Sequence, residues 1–273
     1  MRQIFIRLQY PSLYCPDNVM PETIVSTQNP RYKQLKKLAE SATTRRELGQ
    51  TLLDGEHLLA AALDAGVQPR LLLTPLDAAS HLLLVRCVGV EHLQLAPALF
   101  NALSPVKTPT GVLALIDIPA AVLPASAPFC VLLEAIQDPG NLGTMLRSAA
   151  AAGVDAVYLS PQCADAWSPR VLRAGMGAHF VTRIIEHADL CAVSRDFQGA
   201  VCAAELGARQ TLYQTDLRGA VAFAVGNEGA GLSAELCAAA RVRFSIPMPG
   251  RVESLNAAAA LAVCLFERVR QRG

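Results

Sequence analysis

Apolar positions recur at helical spacing in two stretches of the first hundred or so residues. The segment "NPRYKQLKKLAES" places Leu35 and Leu38 on one face of a basic amphipathic helix, and "GEHLLAAALDAG" predicts a second helix that ends at Gly66. Three short apolar runs, "RLLLT", "HLLLVR" and "TGVLALID", are typical of strands. Helices that alternate with strands in this way indicate a small α/β module.

The second half of the chain alternates more clearly. Apolar strands are predicted in "FCVLLEAI", "DAVYLS", "AVAFAV" and "RVRFSI", with helices in "NLGTMLRSAAAAG" and "SLNAAAALAVCLFERVRQR". Repetition of strand, loop and helix predicts a parallel sheet that is covered by helices on both faces. Ligands of such sheets bind beyond the carboxyl ends of the strands, where the glycine-bearing loops of this half are expected.

A linker is predicted between the two halves. The segment "IPAAVLPASAP", residues 118–128, carries three prolines and no charge, and prolines at this density interrupt helices and sheets. The predicted organisation is therefore an extension at residues 1–22, a first domain at 23–117, the linker at 118–128 and a second domain at 129–273. Met20 is an alternative start of the chain.

Composition narrows the class of protein. The 273 residues are 52% hydrophobic and 17% charged, which allows a sizeable core and excludes a wholly disordered chain. The longest apolar run, Ala257 to Phe266, is too short to cross a bilayer, and no secretory signal is evident. Eight scattered cysteines without a CxxC pair argue against a disulfide framework and against a structural metal. We expect a cytoplasmic protein with free thiols and neither membrane attachment nor metal.

Positive charge is concentrated near the beginning of the first domain, although the net charge is only +1. A local excess of this kind suits a phosphate backbone about as well as it suits a solvated helix face. We assign RNA binding to the basic residues of this cluster, which are Arg31, Lys33, Lys36, Lys37, Arg45 and Arg46.

Two loops of the second domain carry candidate chemistry, and neither matches a dinucleotide-binding or Walker fingerprint. The loop "GNEGAG" holds glycines that let backbone approach a ligand, although a glycine cluster also suits an ordinary tight turn. In "IPMPGRVESLN", Ser254 is expected to cap the closing helix. Asn256 would then lie in the first turn, where asparagine is unfavourable, and this favours a functional role for it.

Three stretches in this order, "NLGTMLRSAAAAG", "VGNEGAGLS" and "IPMPGRVESLNAAAA", resemble the signature motifs of the SpoU (TrmH) branch of the SPOUT RNA methyltransferases. The resemblance implies an α/β fold in which a parallel-sheet SPOUT domain contains a deep trefoil knot. It also implies a small N-terminal ribosomal-protein-like RNA-binding domain, with "STQNPRYKQLKKL" as its opening. Family members bind S-adenosyl-L-methionine at the knot, form homodimers and methylate ribose 2′-hydroxyls of tRNA or rRNA.

The resemblance also implies roles for single residues. Arg147 matches an essential arginine. A guanidinium is a poor general base, but it can hold a phosphate in bidentate fashion and stabilise the charge that develops on a 2′-oxygen. Asn141 matches a positioning asparagine and is alternatively an ordinary N-cap. The full catalytic set is Arg147, Asn141, Glu228, Ser254 and Asn256, and the positions that match cofactor contacts are Gly226, Ile246 and Leu255.

Three other functions are compatible with parts of this pattern. A non-catalytic RNA-binding protein could retain the fold, but it would be expected to have lost Arg147, Asn141 or Glu228. A nucleotide enzyme of small metabolites would require an acidic ribose ligand after the first glycine loop. A SPOUT enzyme that methylates a base nitrogen is disfavoured by the "SLN" motif. The departure "NAAAA" in the third motif exchanges small residues for small ones on a helix, and we expect it to be tolerated. The departure "LGQTLLDGEHLL" in the first domain leaves the RNA target open.

Overall fold

The computed structural model describes residues 22–76, 86–106, 109–122, 126–252 and 254–273. These residues form two sheets, one of five strands and one of seven, with the segment 118–128 between them in sequence. The predicted strand in "HLLLVR" lies almost entirely outside the described residues. The predicted boundary after residue 22 cuts the first strand, because Glu22 already belongs to it.

The first sheet has the strand order β1-β4-β3-β5-β2, and β5 runs antiparallel to both of its neighbours. One face packs on α1 and α4, and the other on α3. The elements are β1 (Glu22–Ile24), α1 (Pro30–Glu40), α2 (Ala42–Leu48), β2 (Gln50–Asp54), α3 (Glu56–Asp64), β3 (Leu71–Pro75), β4 (Glu91–Leu95), α4 (Pro97–Leu103) and β5 (Leu113–Asp117).

The second sheet has the order β10-β12-β9-β11-β6-β7-β8, and every neighbouring pair is parallel, which confirms the prediction of a parallel sheet. Its elements are β6 (Phe129–Leu133), α5 (Pro139–Ala151), β7 (Ala156–Leu159), α6 (Pro169–Gly175), β8 (Arg183–Ile185), α7 (Leu190–Asp196), β9 (Ala200–Ala204), β10 (Gln210–Thr211), β11 (Val221–Val225), α8 (Ala234–Ala239), β12 (Val242–Ser245) and α9 (Ala257–Arg272). Short 3₁₀ turns lie at Ala178–Phe180 and Leu212–Gln214.

Helices cover both faces of this sheet because its central strands are apolar on both faces. In β6, Val131 and Leu133 join a core with α5, α6 and α9, whereas Cys130 and Leu132 join a separate core with α7 and α8. Successive side chains of a strand point to opposite faces, so a continuous apolar run needs cover on both sides. This pattern fixes β6 at the centre of the layers, with the loop after it at the carboxyl edge.

Helix α5 carries the first motif and is held by a close crossing with α6. Asp138 caps its N-terminus and Pro139 opens it. A Cβ added at Gly143 would lie 2.4 Å from Cβ of Ala174 and 2.6 Å from the carbonyl oxygen of Val171. The two helix backbones therefore touch at Gly143, which sets the position of α5 against α6.

Buried polar contacts join the small sheet to the second domain. The Thr51 hydroxyl donates to the carbonyl oxygen of Trp167 at 2.6 Å, and the guanidinium of Arg45 pairs with Asp165, with 2.7 Å between Nε and Oδ2. Arg45 also donates to the carbonyl oxygen of Leu38 and is only 3% exposed. The assignment of Arg45 to RNA binding is therefore wrong: its charge is buried and neutralised at the junction of the domains.

We expect Gly143→Ala to destabilise the protein. Steric overlap with the α6 backbone has a typical cost of about 1–3 kcal/mol, and here it exceeds the gain of up to about 1 kcal/mol from the better helix propensity of alanine. Thr144→Ala, at an exposed position of the same helix, is the matched control and should change the free energy of unfolding by less than about 0.5 kcal/mol. Urea unfolding of both variants measures the difference, and equal stability would contradict the close crossing.

Candidate active site

Three loops meet at the carboxyl edge of the second sheet. They follow β6, β11 and β12, and they contain the three motif segments that the sequence singles out. Because β11 and β6 are neighbours and β12 lies two positions from β11, the loops lie side by side. The carboxyl edge is where ligands of open parallel sheets bind.

A chain of side-chain hydrogen bonds connects these loops. Asn256 Nδ2 donates to Asn141 Oδ1 at 2.9 Å, and Asn141 Nδ2 donates to Glu228 Oε1, also at 2.9 Å. Glu228 and Asn256 lie 87 and 115 residues from Asn141 in the sequence. The structure thus brings three of the five predicted catalytic residues into one cluster, which we call the amide–carboxylate trio.

Asn256 is the N-cap of α9, and the prediction that Ser254 caps this helix is wrong. Asn256 Oδ1 accepts from the backbone N–H groups of Ala258 and Ala259, at 2.9 and 3.3 Å. Asparagine and serine cap equally well, so the sequence offers two candidates two residues apart. Capping also explains an asparagine at this position, so the case for its function now rests on the amide donor.

Asn141 is not an N-cap either. Asp138 caps α5 by accepting from the backbone N–H of Asn141 at 2.7 Å, which leaves the Asn141 side chain available for the trio. Because Asn256 Oδ1 accepts from the helix N-terminus, the amide nitrogen of Asn256 must be the donor to Asn141 Oδ1. The amide nitrogen of Asn141 is then the donor to Glu228. One N–H of Asn256 and one of Asn141 are used within the trio. The second N–H on each amide nitrogen can donate to a ligand.

A pocket lies beside the trio, beyond the ends of β9, β11 and β12. It has a volume of about 180 Å³, and its walls include all three residues predicted to contact the cofactor, together with Glu228 and Ser254. The other walls are largely apolar, including Leu206, Val225, Phe244 and Met248. An apolar pocket with a few polar anchors fits the adenine and polar tail of the S-adenosyl-L-methionine that the resemblance implies.

The loop after β11 closes tightly at Gly226. A Cβ at this position would lie 2.1 Å from the carbonyl oxygen of Gly231, so no side chain fits. Asn227 organises the same loop: its Oδ1 accepts from the N–H groups of Gly229 and Ala230, and its Nδ2 donates to the carbonyl oxygen of Ala135 at 2.9 Å. Asn227 therefore ties the second-motif loop to the first. Asn227 is thus a positioning residue that was not predicted, and the sequence signal for it is its place between two glycines in "GNEG".

Arg147 lies apart from the trio. It is exposed on α5, six residues after Asn141, and within the described residues it makes no hydrogen bond or ion pair. Six residues on a helix correspond to roughly 240° of rotation, so the two side chains leave the helix in different directions. Arg147 lines a groove with Ala61, Met176 and Val181, of which Met176 and Val181 are exposed apolar side chains.

The predicted RNA-binding residues divide into paired and unpaired cations. Arg31 bridges Glu22 and Glu91 at 2.7 and 2.8 Å. Lys36 pairs with Glu40 at 2.9 Å, and Lys33 donates to Gln28. Arg46 lies 3.3 Å from His187, and Lys37 is exposed without a side-chain partner among the described residues. Exposed ion pairs contribute little to stability, so these cations can change partners at small cost.

Other reactive groups are poorly suited to chemistry at this edge. The Cys163 thiol contacts the loop after β6 at the N–H of Ile136, but burial raises the pKa of the thiol and keeps it protonated.

In the described part of the chain, no helix combines the length and apolar character needed to cross a membrane.

Comparisons with known proteins agree with this geometry. The SpoU rRNA Methylase family matches residues 128–266, and the MRM3-like substrate binding domain matches residues 29–114. The chain is 33% identical to the 23S rRNA (guanosine(2553)-2′-O)-methyltransferase RlmP of Bacillus subtilis, over 89% of this chain and 97% of that protein. It is 30% identical to human mitochondrial rRNA methyltransferase 3, over 88% and 72% of the two chains.

A solved structure gives the same result. The AdoMet-bound rRNA methyltransferase of Sinorhizobium meliloti superposes with a TM-score of 0.80 and 27% identity, over 91% of this chain and 97% of that one. These matches and the motif loops at the carboxyl edge show that the chain belongs to the SpoU rRNA methylase family and is an S-adenosyl-L-methionine-dependent RNA 2′-O-methyltransferase.

Proposed function

We propose that the substrate is ribosomal RNA and that the amide–carboxylate trio holds the acceptor ribose beside the cofactor pocket. Two relatives that align with most of this chain, RlmP of Bacillus subtilis and human mitochondrial rRNA methyltransferase 3, are named for rRNA, which supports this substrate. The observation that carries the assignment of the site is the hydrogen-bond chain from Glu228 through Asn141 to Asn256, at the rim of a pocket that holds Gly226 and Leu255.

The trio has the chemistry that orientation of a ribose requires. The free N–H groups of Asn141 and Asn256 donate to ribose or phosphate oxygens, and Glu228 holds the amide of Asn141 in register. Ser254 lines the same pocket and contributes a hydroxyl at the acceptor side. The bound cofactor supplies the electrophilic methyl group. Fixing the acceptor oxygen in line with that group converts a bimolecular reaction into an oriented one.

We assign RNA capture to the first domain, residues 23–117, joined by the linker 118–128 to the methyltransferase domain at 129–273. The contributing cations are Arg31, Lys33, Lys36, Lys37 and Arg46. Their exchangeable pairs suit a phosphate backbone, which releases counterions when it binds. The free thiols of the described cysteines fit a cytoplasmic location.

We propose a deep trefoil knot for the C-terminal segment. Strand β12 lies between β10 and β9, yet the following helix α9 packs against α5, beyond β9 and β11. The chain therefore returns across the carboxyl edge past the loop after β11. The family resemblance implies that this return threads a loop.

We also propose a homodimer in which Arg147 acts on the partner's site. Its position on the exposed arc of α5 keeps it away from the trio of its own chain. Exposed apolar side chains lie on the elements that surround α5: Met176 and Val181 line the groove with Arg147, and Phe266 and Val269 lie on α9, which packs against α5. Apolar patches of this kind are typical of interfaces, and a twofold axis would bring the same helices of two copies together.

Methyl transfer from tritiated S-adenosyl-L-methionine tests the function. We expect incorporation into unmodified large-subunit rRNA, with the label recovered as a 2′-O-methylated nucleoside after digestion. Label in tRNA alone would identify tRNA, and not rRNA, as the substrate. Label on a base would favour methylation of a base nitrogen, and no transfer to any RNA would overturn the proposal.

Asn256 allows capping to be separated from substrate positioning. Asn256→Ser should retain the helix cap and the melting temperature, but lower the single-turnover rate by about ten- to a hundredfold, because the amide donor is lost. Asn256→Ala should lower the single-turnover rate by the same factor and should also lower the free energy of unfolding by about 1 kcal/mol, because the helix cap is lost. A serine variant with a normal rate would reduce Asn256 to a cap.

Arg147→Ala should lower the single-turnover rate by about a hundred- to a thousandfold, because charge on the 2′-oxygen and the neighbouring phosphate loses its partner. Stability should hardly change, since alanine favours the helix and Arg147 is exposed. Arg147→Lys should fail nearly as badly, because an ammonium lacks the planar fork. Calorimetric titration with S-adenosylhomocysteine should show unchanged cofactor-site affinity, and a lysine variant of near-normal rate would contradict the role.

Mixed dimers test whether Arg147 acts on the partner. The Arg147→Ala and Asn141→Ala variants should each be inactive, yet their co-expressed mixture should recover up to about a quarter of wild-type activity, since mixed dimers keep one intact site. No recovery would place Arg147 in its own chain's site. Sedimentation of the wild type as a monomer at micromolar concentration would contradict the dimer itself.

A further inference from the structure

A second cavity opens at the carboxyl edge, between the two domains. It has a volume of about 500 Å³ and is separate from the cofactor pocket. One wall comes from the first domain, at the ends of α1 and α4. The other comes from the second domain, at Pro139 just before the first motif and at residues within 164–170 after β7. We call it the interdomain cleft.

Strand order places the cleft on the opposite side of the trio from the cofactor pocket. The pocket lies over the ends of β12, β9 and β11, the trio joins the loops after β11 and β6, and the cleft lies over β6 and β7. From β9 to β7 is roughly 14 Å at about 4.8 Å per strand. A polymer whose ribose lies on the trio therefore has the cofactor on one side and this cleft on the other.

The charges of the cleft favour a polyanion. Its acidic groups are neutralised, since Asp165 pairs with Arg45, and Glu40 pairs with Lys36. Arg170 remains: it is exposed, lines the cleft and has no side-chain hydrogen bond or ion pair within the described residues. The unbalanced charge of the cleft is therefore a guanidinium, the group best suited to bidentate binding of a phosphate.

Stability does not explain Arg170. It is the second residue of α6, where the helix dipole weakly disfavours a positive charge, and it forms no ion pair with any acidic residue that the structure describes. The first-domain wall of the cleft continues to α1, where Lys36 donates to the carbonyl oxygen of Ala102 and Lys37 is exposed. Lys36 therefore lies next to the first-domain wall of the cleft, and Arg170 lies on the second-domain wall.

We propose that the interdomain cleft holds the RNA backbone next to the methylated nucleotide, and that Arg170 binds a phosphate there. This inference rests on the proposed function and adds a second RNA contact, made by the catalytic domain itself. It explains why the domains are joined by buried contacts such as that of Thr51 with Trp167: a rigid junction keeps the cleft in register with the trio.

Two pairs of variants test the proposal by binding of unmodified large-subunit rRNA transcript at several salt concentrations. Arg170→Gln removes the cation, and its control is Arg195→Gln, an exposed arginine of α7 on the other face of the sheet. Ala102→Glu places a negative charge at the cleft, and its control is Ala98→Glu, an exposed position one turn earlier on α4 outside the cleft. Thermal melting of all four confirms folding.

We expect RNA affinity to fall about three- to tenfold in Arg170→Gln, with a slope of log affinity against log salt that is shallower by about 0.7. Ala102→Glu should weaken binding at least as much. Both controls should bind like the wild type, S-adenosylhomocysteine affinity should not change, and the rate at saturating RNA should be retained.

Wild-type RNA affinity in either cleft variant, or an equal loss of affinity in its control, would overturn the proposal that the cleft binds RNA. These binding data do not depend on methyl transfer. If the protein transfers no methyl group but binds RNA through Arg170, the proposed function is contradicted and the RNA contact in the cleft stands. If the protein methylates RNA and Arg170→Gln does not change RNA affinity, the proposed function stands and the RNA contact is contradicted.

Discussion

The hydrogen bond from Asn256 to Asn141 is the contact on which the candidate site depends. Its donor is oriented by the N-terminus of α9, because Asn256 Oδ1 accepts from two backbone N–H groups there. The position of α9 is in turn set by the core, where Ala258, Leu261 and Leu265 are buried with α5. The geometry of two polar amides is therefore decided by apolar packing behind them.

Helix α5 transmits this constraint to the rest of the molecule. It presents Asn141 to α9 and Glu228, and it touches α6 at Gly143 without intervening side chains. Helix α6 follows the loop that contacts the first domain through Trp167 and Asp165. One helix thus connects the trio, the domain junction and the exposed arc that carries Arg147. A shift of α5 would disturb all three.

The arginines along this connection differ in burial, and the difference decides what each can bind. At the domain junction Arg45 is neutralised by Asp165 and stays out of solvent, so it contributes to register and not to recognition. Arg147 on α5 and Arg170 in the interdomain cleft are exposed and lack acidic partners in the described structure, which leaves both available to phosphate. Sequence proximity to other cations did not distinguish Arg45 from Arg46, since only the fold buries one of them.

The sequence alone determined the parallel sheet, the closing helix, the motif loops and the family, because apolar runs of strand length and ordered motifs are local signals. Short or alanine-rich elements such as β9 and α7 carry no such signal and were not predicted. Which of Ser254 and Asn256 caps α9 depended on where packing begins the helix, since both residues cap equally well. The burial of Arg45, the separation of Arg147 from the trio and the place of Arg170 in a cleft are relations between distant segments. Only the tertiary structure could decide them, because the residues next to a side chain in the sequence do not determine which distant segments it contacts in the fold.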